Sequence, residues 1–264
     1  MGYSSPTVGS NEFHAKSSPA SAIASATIIQ WWLGLQAKLF PISVPSLPQS
    51  HPSITNPANK LDFGAILLNR KTGEEPFRID YLELNAKLGE FWQWSCSNLL
   101  GNTLRGHLAE YIVGLALGCV GKVRQEWNAV DLQWETGEDC TIRIEVKSAA
   151  YLQSWKQERV SAISFDIAQK RPWDAETNVM ETDMVRSSDV YIFCLLDHKD
   201  KSTVDPMDLA QWSFFAVQTL RLHAKFGTQK SISLGPLSDL HGAKFGFAEL
   251  KKRVADEAKW KPTH

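Results

Sequence analysis

The chain has 264 residues, of which 28 are basic and 29 are acidic, so its formal net charge is −1 at pH 7. This balance excludes a protein that attracts nucleic acid through a general basic field, and any such contact must come from a local patch. Hydrophobic residues make up 43% of the chain, which excludes a disordered protein. The four cysteines are too far apart for a zinc ribbon and are predicted to be reduced thiols of a cytoplasmic protein.

The composition of the first 59 residues predicts three segments that precede the folded domain. Residues 1–21 are rich in Ser, Pro and Gly, which predicts a disordered arm. Residues 22–40 carry apolar side chains at helical spacing and predict an amphipathic helix that docks on the domain, with an export signal as the less favoured alternative. Residues 41–59 contain five prolines and predict an extended linker. Residues 60–264 are then expected to form one domain.

Periodicity within that domain predicts alternating helices and strands. Helices are predicted over 80–96, 102–120, 208–212 and 247–260. Strands are predicted over 122–127, 130–134, 141–148, 190–196 and 213–219. Mingled helices and strands are typical of the α/β class. We therefore expect a mixed sheet flanked by helices, with a helical N-terminal extension.

Two acids, Asp131 and Glu145, lie on neighbouring predicted strands that are joined by the turn-forming segment 135–139. A hairpin closing near Glu138 sets Asp131 opposite Glu145, with Lys147 on the same face. Directly opposed carboxylates repel each other, so a cation is expected between them. A hard divalent cation such as Mg²⁺ suits this pair, with the Val146 carbonyl as a third ligand.

A third acid, Glu110, lies on the predicted helix 102–120 among small and apolar neighbours. A buried carboxylate in such surroundings is costly unless it is paired or bound to a metal, so Glu110 is also a candidate ligand. The alternative for the whole set is structural, because Glu145 and Lys147 could form an ordinary ion pair on an exposed sheet, worth about 0 to 1 kcal/mol.

In its order of helix, strand and strand, this set resembles the PD-(D/E)xK nuclease superfamily, which has the restriction-endonuclease-like fold. Val130-Asp131 stands in place of the Pro-Asp pair, and Glu145-Val146-Lys147 matches the second half of the motif. The resemblance implies a Mg²⁺-dependent endonuclease, with Mn²⁺ able to substitute. It implies metal binding by Asp131, Glu145, Val146 and Glu110 and catalysis by Asp131, Glu145, Lys147 and Glu110. Gln153 is similar to a glutamine that follows the lysine in some members, and the resemblance makes it a further catalytic candidate.

A basic and aromatic segment follows the motif. We expect it to contact nucleic acid, although a solvated loop and helix is the alternative. The residues assigned to that contact are Trp155, Lys156, Arg159, Lys170 and Arg171.

The function predicted from sequence is DNA hydrolysis in bacterial restriction or phage defence, and a homodimer is a further expectation by analogy with enzymes that cut both strands of a duplex. Two alternatives stay open, a module that binds nucleic acid or another protein without turnover, and a nuclease that acts on RNA.

Overall fold

A computed structural model describes residues 66–126, 128–137, 140–174 and 177–259. The predicted arm, amphipathic helix and linker lie outside these residues. The chain divides into two units, and the described part of the smaller unit is a hairpin of β1 (Pro76–Ile79) and β2 (Leu82–Lys87). No helix in the described ranges is long and apolar enough to cross a membrane.

The predicted helix over 80–96 is wrong in its first half. Only α1 (Leu88–Cys96) is helical, and residues 82–87 form β2. Apolar and polar residues alternate strictly in Leu-Glu-Leu-Asn-Ala-Lys, which is the period of a strand rather than of a helix. The predicted strand over 122–127 is also absent from its described part, 122–126. That segment contains one apolar residue and has no face to bury.

The larger unit is built on a four-stranded mixed sheet in the order β3 (Leu132–Glu135), β4 (Thr141–Ala150), β8 (Val190–Leu196), β9 (Trp212–Gln218). Strands β3 and β4 are antiparallel, β4 and β8 are parallel, and β8 and β9 are antiparallel. The predicted hairpin is confirmed, because Leu132 pairs with Ile144 and Glu135 with Thr141. All seven residues of β8 are buried, as expected of a central strand.

Helices and short strands surround this sheet. Helix α2 (Asn102–Leu117) ends where Gly118 takes a left-handed conformation with φ of 77°, which favours glycine. The predicted helix over 208–212 is a single 3₁₀ turn, and that over 247–260 begins with another. The other elements are β5 (Ser164–Asp166), β6 (Trp173–Asp174), β7 (Val179–Met180), α3 (Thr219–Phe226), β10 (Ser231–Ser233), α4 (Leu234–His241) and α5 (Leu250–Lys259).

The two faces of the sheet bury separate cores, which gives the mixed α/β class with a sheet flanked by helices. One core packs α2 and α5 against the side chains of Ile144, Val146 and Ile192. The other packs the β5–β10 ribbon, α3 and α4 against Phe193 and Phe215. Because side chains alternate along a strand, Glu145 and Lys147 point to the second face.

The length difference between β3 and β4 opens the edge of the sheet. Strand β4 has ten residues, but β3 pairs only with Thr141–Ile144. Beyond Ile144 no residue of β3 continues the ladder on that edge. The backbone of Val146 is therefore available to a side chain, and Asp131 supplies it.

Candidate active site

Asp131 lies directly before β3 and covers the open edge of β4. Its backbone N–H donates to the Ile144 carbonyl at 3.1 Å, and its Oδ2 accepts a hydrogen bond from the Val146 N–H at 2.7 Å. The register of the hairpin, continued by one residue, sets Asp131 opposite Glu145. The structure thus brings the two acids together at the point where β3 begins.

Glu145 is a buried carboxylate that receives two ammonium groups on one oxygen. Its side chain is 8% exposed, and its Oε1 accepts from Lys147 Nζ at 2.6 Å and from Lys170 Nζ at 3.0 Å. A buried charge requires such partners because removal from water is costly. Lys170 was predicted to contact nucleic acid, and its contact with Glu145 was not foreseen from the sequence.

The electrostatics of Asp131 are unfavourable in the absence of a cation. Burial first, and then the charges of Glu145 and Glu110, raise the pKa of Asp131 to about 6. The hydrogen bond from Val146 and the charge of Lys147 lower the pKa but do not compensate. Burial lowers the pKa of Lys170, yet the charges of Glu145 and Asp131 outweigh burial and leave that pKa above its ordinary value. The acids therefore need more positive charge than Lys147 alone supplies.

Glu110 projects from α2 and is held by an arginine. Arg124 binds it with two hydrogen bonds, Nε to Oε2 at 2.6 Å and Nη2 to Oε1 at 2.9 Å. The Glu110 side chain is 12% exposed, and its charge contributes to the raised pKa of Asp131, so Glu110 lies near the pair. Arg124 had no predicted role, because nothing in the sequence pattern links residue 124 to residue 110.

The donor set around Asp131 is smaller than the predicted one. Over the described ranges, no group of three or more His, Cys, Asp or Glu side chains is close enough to hold one metal ion. Asp131 and Glu145 remain as a carboxylate pair, and Glu110 is engaged by Arg124. The pair still fits a hard divalent cation, since one or two carboxylates are the usual protein ligands of Mg²⁺.

Both acids of the pair line an open cleft of about 720 Å³. Basic and apolar side chains also line this cleft, among them Lys170, Arg171, Trp173 and Met180. Trp173 and Met180 are a cross-strand pair of the β6–β7 hairpin. The indole N–H of Trp173 donates to Asn178 Oδ1 at 3.2 Å, which orients the ring. The cleft thus joins a carboxylate pair to two cations and an aromatic surface.

The remaining residues of the predicted nucleic-acid surface lie apart from this cleft lining. Trp155, Lys156 and Arg159 are exposed on the segment after β4, and Trp155 is 56% exposed. The Trp155 carbonyl accepts from Lys201 Nζ at 2.5 Å. The predicted surface therefore separates into two parts, one inside the cleft and one on the segment after β4.

Gln153 is buried and bonded to groups outside the acidic pair. Its side-chain oxygen accepts from Arg105 at 3.4 Å, and its amide donates to the Ala150 carbonyl and to Ser161 Oγ, both at 3.3 Å. Arg105 is 4% exposed and also donates to Ser148 Oγ at 3.3 Å. This network fixes α2 against the end of β4 and gives Gln153 a positioning role in the fold.

The fold and the cleft define an α/β protein with an acidic, lysine-flanked site at a sheet edge. The family model described as bacteriophage T4 endonuclease IV matches residues 92–234, more than half of the chain, and the chain belongs to that family. The match spans the site from Glu110 to Lys170, and it identifies the protein as a nuclease.

Among solved structures, the chain is similar to that of a bacterial homing endonuclease, I-Ssp6803I. The two share 16% sequence identity over 51% of this chain and 75% of the homing endonuclease chain, with a TM-score of 0.27. The search of curated proteins gives no match.

Proposed function

We propose that this protein is a metal-dependent endonuclease of the PD-(D/E)xK type that hydrolyses DNA phosphodiester bonds. One observation carries the proposal: Asp131, Glu145 and Lys147 meet at a sheet edge in a chain of an endonuclease family. The pair faces an open cleft large enough for a segment of a nucleic-acid strand.

Asp131 and Glu145 would hold the metal ion, and the Val146 carbonyl is the third candidate ligand. Val146 donates its N–H to Asp131, and the N–H and C=O of one strand residue leave the strand on the same edge. Its carbonyl therefore lies on the side of the acids. Glu110 would act on the same ion through water or on a second ion. Mg²⁺ is the expected metal, and Mn²⁺ would substitute.

A bound Mg²⁺ lowers the pKa of a coordinated water and neutralises charge on the scissile phosphate. Lys147, whose ammonium donates to Glu145, would orient the attacking water or stabilise negative charge at the phosphorus. Arg171, which lines the same cleft, would bind a neighbouring phosphate. Trp173 offers a ring against which a base can stack.

A nicking assay tests this function. Supercoiled plasmid incubated with the protein and Mg²⁺ should be nicked, EDTA should stop the reaction, and Mn²⁺ should restore it. Asp131→Ala and Lys147→Ala should each cut at least about 100-fold more slowly, because each removes a group expected at the reacting phosphate. Lys252→Ala, a change of an exposed lysine on α5, is the matched control. Unchanged cutting by either site variant in folded protein would remove that residue from the mechanism.

The substrate and the biological role are tested separately. Parallel digestion of single-stranded RNA, single-stranded DNA and duplex DNA should show cleavage of DNA, and preferential cleavage of RNA would favour the RNA-directed alternative. Binding that ignores chelator, with no cleavage at any divalent-ion concentration, would indicate a module without turnover. A cytoplasmic role in restriction or phage defence, and action as a homodimer, belong to the same proposal.

A further inference from the structure

Two lysines share one carboxylate oxygen in the site, but they are held in different ways. Lys147 lies on β4, two residues from Glu145, and its side chain is 15% exposed. The side chain of Lys170 is 61% exposed and reaches the same oxygen from outside the four-stranded sheet. The backbone of Lys170 is fixed by reciprocal hydrogen bonds with Val185, each 2.9 Å long. Lys170 thus has an anchored backbone and a side chain with room to move.

The charges around the acidic pair already balance without a metal ion. Asp131 and Glu145 carry two negative charges, and Lys147 and Lys170 carry two positive ones. Glu110 and Arg124 form a second neutral pair beside them. A divalent cation added to this set would leave an excess of two positive charges, and it would repel an ammonium group on the same carboxylate oxygen. One ammonium must therefore leave, or an anion must enter, for the ion to bind well.

Lys170 is the ammonium that can leave. Its long, flexible stem allows the ammonium to move while the backbone stays paired with Val185. It lines the open cleft beside Arg171, where a phosphate of a bound strand would lie. Lys147 lacks this freedom because it is largely buried on the strand that carries Glu145.

We propose that Lys170 is an exchangeable counter-ion: it neutralises Glu145 while the site lacks metal and transfers to a substrate phosphate when a divalent cation takes its place. The inference rests on the proposed function, because it requires a metal at Asp131 and Glu145. It adds a substrate-binding role for a lysine outside the Glu145-Val146-Lys147 motif. It also requires that metal and nucleic acid each strengthen the binding of the other, since coupling between sites is reciprocal.

The test is a binding measurement on the full-length Lys170→Met protein, which keeps the apolar stem and loses the charge. Calorimetry with Mg²⁺ and no nucleic acid should show binding tighter than in the unchanged protein by about 5-fold or more, because the competing ammonium is gone. Fluorescence anisotropy with a short DNA oligonucleotide should show that the variant binds DNA more weakly in Ca²⁺ than the unchanged protein does. The difference between the DNA affinities in Ca²⁺ and in EDTA should also be smaller for the variant. Lys252→Met should leave all three values unchanged.

A second variant and a thermal melt separate this role from a purely structural one. Lys170→Gln retains hydrogen-bonding capacity without the charge and should behave as Lys170→Met does at an unchanged melting temperature. Equal Mg²⁺ affinity in the Lys170 variants and the unchanged protein would overturn the inference alone. Absence of divalent-ion binding in all of them, both without and with the DNA oligonucleotide, would overturn the proposed function together with the inference.

Discussion

At the scale of single residues, the site places like charges together at a cost to stability. Asp131 is partly buried, lies opposite Glu145 where the hairpin register is continued by one residue, and has a pKa raised to about 6 by burial first and by that neighbour second. A surface carboxylate in the same fold would carry no such cost. Active sites commonly retain arrangements of this kind because the groups that bind substrate or metal cannot also be optimal for folding.

This cost predicts a stabilising substitution. Asp131→Asn keeps an oxygen that can accept the Val146 N–H and removes the charge, so in EDTA at pH 8 it should raise the free energy of unfolding by about 1 to 3 kcal/mol. In the unchanged protein, Asp131 has a pKa of about 6 in the folded state and of 3.8 in the unfolded state. It therefore binds its proton at a higher pH when the protein is folded. The stability of the unchanged protein therefore falls as pH rises between these values, and the advantage of the variant should vanish below about pH 4.

Urea unfolding at a series of pH values measures this difference. Asp239→Asn, a change at an exposed position on α4, is the control and should alter stability little at any pH. A loss of stability in Asp131→Asn at pH 8 would mean that the Asp131 charge is favourably paired in the folded protein. That result would contradict the cost assigned to the acidic pair.

At the scale of elements, α2 is the support for one side of the site. Its buried face packs on the sheet through Ala109, Ile112 and Val113, while Glu110 turns toward the acids. Gly114, on the same helix, lies so close to the segment before β3 that an added Cβ would stand 2.6 Å from Val120 Cγ1 and 3.6 Å from Leu132 Cδ2. The close approach of α2 to Val120, in the chain that follows the helix, therefore depends on glycine at position 114.

A matched pair of glycine substitutions tests this contact. Gly114→Ala should destabilise the protein by about 1 to 3 kcal/mol, because Val120 is β-branched and cannot easily move its methyl group aside. Gly106→Ala, in the same helix with open space around the added carbon, should be neutral or stabilising by up to about 1 kcal/mol. Thermal or urea unfolding gives both values. Equal effects of the two substitutions would show that helix propensity, rather than the close approach, governs position 114.

At the scale of the whole molecule, nearly equal numbers of acidic and basic residues restrict how nucleic acid can bind. The net charge is −1, so attraction must come from local groups such as Lys170 and Arg171 in the cleft. Proteins that neutralise many phosphates lose nucleic-acid affinity steeply as the salt concentration rises. For this protein, we expect only a small loss of affinity.

The salt dependence of binding is therefore expected to be shallow. In a constant concentration of Ca²⁺, the logarithm of the association constant for a duplex oligonucleotide should fall with the logarithm of salt concentration with a slope of about −2 to −4, which corresponds to two to four phosphate contacts. Anisotropy titrations from low to moderate salt provide the slope. A value near −8 would indicate a broad basic surface and would contradict a cleft-centred contact.

The sequence by itself determined the features that depend on local pattern. Alternation of apolar and polar residues defined the hairpin, its centre near Glu138 and hence the placing of Asp131 opposite Glu145. The unbroken apolar run over Val190–Leu196 defined the central strand. The prediction from pattern was wrong at residues 82–87, where a strictly alternating segment was assigned to a helix and forms a strand instead. It was also wrong at residues 122–126, where a strand was predicted although the segment has no apolar face.

Only the tertiary structure decided which distant groups complete the site. Lys170 reaches Glu145 from a segment whose backbone is hydrogen-bonded to Val185. Arg124 binds Glu110. Neither contact could be predicted from the periodicity of apolar residues, because that pattern describes one element at a time. Gln153, which lies close to Lys147 in sequence, binds Arg105 and Ser161 in a buried network. Side-chain direction along one element follows from its period, whereas the pairing of charges between elements depends on how their backbones pack.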